Sequence, residues 1–273
     1  MKIRNSALLL ALSAAGSTAL LSTAAFASPS DPGTGKPTVV LVHGAFADSS
    51  GWDGVVKKLQ KDGYPVVAPA NPLRGLAGDS SYVSSVLSSI EGPVVLVGHS
   101  YGGEVITNAA VDHPNVKALV YIAAIAPEKG ESANDILSKY DGSKLPESLK
   151  PIPYNRPDGT QGTDLYISPD KFRSVFAADV KAKEAAVMAA TQRPIDGNSL
   201  SDKSENAAWK NIPSWYMVAK GDQAIPPAAE RFMADRAGAT TVEVDASHAV
   251  AVSHPDDVSK LIVSAAKAKS TTG

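Results

Sequence analysis

The run Val94-Val95-Leu96-Val97 passes without a break into Gly98-His99-Ser100-Tyr101-Gly102, with Gly103 behind it. Four apolar residues, three of them β-branched, read as a strand buried on both faces. A helical pattern over Glu104–Val111 begins at once. A chain that changes from strand to helix in so few residues must bring the two elements close together. Glycine on either side of the turn leaves room for that approach. Ser100 then stands at the tip of the corner, its hydroxyl clear of its own backbone and facing the N-terminus of the helix.

The surrounding sequence supplies partners for such a unit. Thr38–Val42 reads as a strand, Trp52, Val55, Val56 and Leu59 have helical spacing, and Tyr64–Ala68 reads as a second strand. Tyr82, Val83, Val86, Leu87 and Ile90 mark another helix, and Ala118–Ile122 another strand. After Pro127 the rhythm breaks, with a short helix near Ile136 and a longer one over Phe172–Ala190. It resumes with a strand at Ser214–Ala219, a helix opened by Pro226 and Pro227, a strand at Thr240–Val244 and a terminal helix around Val258, Leu261 and Ile262. Short connections and doubly apolar strands predict an α/β fold: a mostly parallel central sheet with helices on both faces. The expected core is 37–126 with 209–266, and 127–208 is an inserted, mainly helical cap. A flexible leader over 28–36 and a frayed tail over 267–273 complete the division.

Lys2 and Arg4 precede an apolar run that ends in Ala25-Phe26-Ala27, the pattern of a secretory signal over 1–27. The expected location is therefore secreted or periplasmic, without a stable membrane anchor. The 273 residues include no cysteine, which excludes disulfides, thiolate metal sites and a cysteine nucleophile. Lysine plus arginine number 26 against 28 aspartates and glutamates, so no basic surplus points to nucleic acid. No metal is expected, because His-Glu-x-x-His is absent and the histidines are scattered. No cofactor is expected either.

Ser100 needs a base, and His248, in the loop after the last strand, is the candidate. His43, His99, His113 and His254 have more ordinary readings as turn, elbow, helix-end and solvated residues. Asp222, after the strand Ser214–Ala219, is the candidate to orient His248, ahead of Asp245 and Asp196. All three candidates follow strands of one parallel sheet, whose carboxyl ends gather on one edge. Chain order is Ser100, Asp222, His248. The backbone N–H of Tyr101 and of Ala45, in His43-Gly44-Ala45-Phe46, would face a developing oxyanion, with Phe46 as the runner-up to Ala45. Phe46, Phe176, Met188, Arg193 and Trp209 are the candidate pocket residues.

From the elbow, the His-Gly loop and the order of the three residues, the chain resembles the α/β-hydrolase superfamily over about Pro37–Ile262. Within it, the chain is similar to the esterases and lyases grouped with hydroxynitrile lyases, methyl-salicylate esterases and pyrethroid-hydrolysing bacterial enzymes. In that group the first residue after His-Gly supplies the oxyanion N–H, which implies Ala45. Hydroxynitrile lyases carry a lysine near the catalytic histidine, whereas Ala249 and Val250 follow His248 here. The implied activity is hydrolysis of a small carboxylic ester through an acyl-enzyme. Lyase or amidase chemistry in the same pocket and non-catalytic ligand binding are the alternatives. Oligomeric state is left open.

Overall fold

The computed structural model describes residues 35–156 and 158–268. The expected signal segment, nearly all of the leader and the last five residues lie outside the described residues. Six strands form the main sheet: β1 (Thr38–Val42), β2 (Val66–Val67), β3 (Val94–Ser100), β4 (Val116–Ala124), β8 (Ser214–Ala219) and β9 (Thr240–Val244). Their order is β2-β1-β3-β4-β8-β9, and each neighbouring pair is parallel.

Strand alternation sorts the apolar side chains onto two faces. Val40, Val42, Leu96, Leu119, Tyr121 and Val218 face α2 (Leu76–Ser88), α3 (Tyr101–Ala109) and α7 (Pro227–Arg236). Val39, Leu41, Val97, Val120 and Met217 face α1 (Asp53–Lys61), α8 (Val250–Ser253) and α9 (Pro255–Lys267). Fully burying one such Val or Leu contributes about 1.5–3 kcal/mol, so the central strands have little freedom to slip. From β1 the chain goes to β2 on one side, then returns past β1 to β3 on the other. The strand order therefore reverses between the carboxyl ends of β1 and β3, where folds of this kind form a crevice.

The segment between β4 and β8 holds α4 (Ala133–Leu137), α5 (Pro169–Phe176) and α6 (Ala182–Thr191). The long helix expected over Phe172–Ala190 is thus two helices, interrupted at 177–181. A feature the sequence did not announce is a small antiparallel sheet of β5 (Leu149–Asn155), β6 (Gln161–Ile167) and β7 (Ile195–Asp196), in that order. β5 contains Pro151 and Pro153, which would break a central strand, but it is an edge strand where the missing N–H groups cost little. Among the described residues, no strand of this segment joins the main sheet. The second expected strand, Tyr64–Ala68, pairs only at Val66 and Val67.

Candidate active site

Ser100 ends β3 with φ 54° and ψ −128°, a left-handed backbone unusual for a non-glycine residue. The pairing of β3 with β4 shifts between His99 and Ser100, which bends the strand at this corner. Packing makes the glycines around it obligatory. A Cβ on Gly44 would lie 2.6 Å from the Ser100 Cβ and 2.7 Å from the His99 carbonyl. A Cβ on Gly102 would collide with the Val42 carbonyl of β1.

His248 and Asp222 are each about 1% exposed, and the His248 Nδ1 lies 2.5 Å from the Asp222 Oδ2. The other Asp222 oxygen accepts the N–H groups of Ala224 and Ile225 at 2.7 and 2.9 Å. Those bonds fix the direction of the carboxylate. With Nδ1 committed to Asp222, Nε2 is the nitrogen left to act as a base. Asp245 is 87% exposed at its side chain and pairs with Lys220, and Asp196 pairs with Arg156 in the inserted segment.

Ser100, His248, Ala45 and Tyr101 line one narrow cavity of about 20 Å³, room for about one water. Phe46, Ile125, Leu137, Leu145, Leu200 and Ile225 make the rest of its wall largely apolar. The Phe46 N–H donates to the Arg193 carbonyl at 3.0 Å, so it is not available to an oxyanion. The Ala45 N–H has no backbone acceptor among the described residues. Tyr101 opens α3, where an N–H has no acceptor inside the helix.

His43 sets the direction of the Ala45 N–H. Its Nδ1 bonds the Gly44 carbonyl at 2.9 Å and its Nε2 accepts the Asn71 N–H at 3.0 Å. This pattern requires a neutral ring protonated on Nδ1, and burial lowers the His43 pKa in the same sense. Because the peptide is planar and trans, fixing the Gly44 carbonyl turns the Ala45 N–H the opposite way. Asn71 lies in a loop without periodicity, so no pattern marked it in advance.

Only Phe46 of the expected pocket residues lines the cavity at Ser100. It also borders an outer groove of about 500 Å³ with Asp48, Lys57, Glu184 and Met188. Phe176 instead meets the His248 ring edge to face at 4.9 Å. Its carbonyl accepts the Ala249 N–H, and Asp179 bonds both the N–H and the hydroxyl of Ser247. The inserted segment thus grips the loop on both sides of His248. Arg193 acts through its carbonyl. Trp209 is buried, with its Nε1 donating to the Pro127 carbonyl, away from the cavity because it packs where the inserted segment rejoins the core.

The family model for the "Alpha/beta hydrolase family" matches residues 39–261. An alpha/beta hydrolase of Aspergillus novofumigatus, nvfD, is 28% identical over 254 residues, covering 85% of this chain and 97% of that protein. A pyrethroid hydrolase of Sphingobium wenxiniae is 27% identical over 259 residues, covering 84% and 88%. The crystal structure of polyneuridine aldehyde esterase superposes with a TM-score of 0.73 at 19% identity, covering 84% of this chain and 98% of that one.

Proposed function

Because the chain belongs to the alpha/beta hydrolase family, we propose that it hydrolyses small carboxylic esters through an acyl-enzyme on Ser100. The observation that carries this reading is the buried Asp222–His248 pair at 2.5 Å, opening on the same cavity as the strained Ser100. The relative named as a pyrethroid hydrolase supports hydrolysis as the reaction class.

In this reading Ser100 Oγ attacks the ester carbonyl while His248 Nε2 takes its proton. Asp222 holds the imidazole and stabilises the imidazolium that forms. The carbonyl oxygen, now an oxyanion, accepts from the Ala45 and Tyr101 N–H groups. Collapse of this intermediate breaks the ester bond, and His248 returns the proton to the departing alcohol. Water then enters, loses a proton to His248 and attacks the acyl group. Release of the carboxylic acid restores Ser100.

A fluorophosphonate with a small alkyl group tests the reading. Peptide mapping is expected to find the adduct on Ser100 alone, and Ser100→Ala to remove both the adduct and most ester turnover. Residual turnover from the remaining N–H donors fits the proposal. Full turnover by Ser100→Ala, with no adduct on the parent protein, would end it.

A further inference from the structure

Glu230 lies in the first turn of α7 and is fully buried. Its Oε2 accepts the Ala219 N–H at 2.9 Å, at the end of the strand that leads to Asp222. If Glu230 were ionised, its Oε1 would be buried without a hydrogen-bond partner. Its side chain is within hydrogen-bonding reach of the Asp222 carboxylate.

The acceptor positions of Asp222 can be counted. An ionised carboxylate offers about four. His248 Nδ1 and the N–H groups of Ala224 and Ile225 fill three. One remains, and the Glu230 Oε1 is buried without a partner.

We propose that Glu230 is a neutral carboxylic acid that donates its proton to Asp222 and so fixes the triad carboxylate from behind. The inference rests on the reading of Asp222 as the residue that orients His248. Glu230 is then a positioning residue, acting on the reaction through Asp222.

Two effects compete at this site. The N-terminus of α7 favours an anion, typically by less than about tenfold in ionisation. Burial and an adjacent carboxylate both disfavour a second negative charge, and together they raise the Glu230 pKa well above the ordinary carboxyl range. The second effect wins, since two buried carboxylates in contact cannot both ionise cheaply. The groups facing Glu230 are Asp222 and Tyr216 on the sheet side and Arg231 on its own helix. Arg231 is turned outward and is held by Glu243 at 2.7 Å, so it does not offset the charge.

The test uses the full chain with Glu230→Gln and Glu230→Leu. Glutamine keeps both functions, an oxygen for the Ala219 N–H and an N–H for Asp222, whereas leucine keeps neither. Glu230→Gln is expected to retain most of the kcat and an unchanged pH profile for a chromogenic acetyl ester. Glu230→Leu is expected to lose about 10- to 100-fold in kcat, with KM little changed. The infrared difference between the parent and Glu230→Gln proteins at neutral pH is expected to contain a carboxylic acid C=O stretch, separate from that of the buried Glu104, which both proteins keep. No such band, or a Glu230→Gln protein as slow as the leucine variant, would overturn the proposal. Should Glu230→Leu fail to fold, the glutamine variant and the band still decide. Absence of labelling at Ser100 in the parent protein would instead count against the esterase reading, while the band would continue to report on Glu230.

Discussion

His99 occupies the variable position of the turn before Ser100, and it has no chemical step in the proposed reaction. Its Nε2 donates to the His248 carbonyl at 2.9 Å, and its ring lies 4.7 Å from that of His248. Trp52 and Phe176 meet it edge to face. Burial, then the nearby His248, push its pKa from 6.5 down to about 3. In the unfolded chain the same ring binds a proton below about pH 6.5. Between those values the unfolded state holds more protons, so stability rises with pH and is lost as pH falls through this window. Urea unfolding from pH 7 to pH 4 is expected to show this slope. In His99→Gln, which keeps a donor for the His248 carbonyl, the slope should shrink by up to about 1.4 kcal/mol per pH unit. An unchanged slope would mean that His99 is already protonated in the folded protein. Burial lowers the His43 pKa too, so part of the acid sensitivity should survive the substitution.

At the level of elements, the corner between β3 and α3 depends on β1 passing close behind it. Two helical glycines give a direct comparison. A Cβ on Gly78 in α2 meets no atom within 4 Å, whereas one on Gly102 in α3 collides with the Val42 carbonyl. Gly78→Ala is expected to stabilise by up to about 1 kcal/mol through helix propensity. Gly102→Ala is expected to destabilise by about 1–3 kcal/mol, because strand and helix must separate. Thermal unfolding of both proteins checks this, and equal midpoints would show that α3 moves freely against β1. The same close packing explains what could be read in advance. β1, β8 and β9 match their expected bounds residue for residue, β1 and β8 as buried, mainly apolar runs with clear stops and β9 through the alternation of Val242 and Val244 after Gly238. That Ser100, Asp222 and His248 follow strands on one sheet edge was also readable, because parallel topology dictates it. The small sheet was hidden by Pro151 and Pro153. Leu145 and Leu200 were hidden by lying outside any regular repeat, so their place in the cavity depends on tertiary packing alone.

Across the whole molecule, the segment between β4 and β8 both covers the cavity and holds the loop of His248. Phe46 connects these roles: its N–H is tied to Arg193 of that segment, and its ring borders both the inner cavity and the outer groove. The contrast between about 20 Å³ inside and about 500 Å³ outside has a consequence for timing. Widening the cavity beside the partly buried Ser100 to hold an ester is expected to need the wall around Phe46 to part, a movement of the microsecond-to-millisecond kind. Such a movement pushes solvent aside and is slowed by friction. For esters with bulky acyl groups, kcat/KM is therefore expected to fall as sucrose thickens the medium. For the Phe46→Ala protein, whose wall has a standing gap, the same series should give a nearly flat line. Equal sensitivity in both proteins would place the slow movement elsewhere in the cover. Entry to this enzyme is then a matter of drag as much as of bonding.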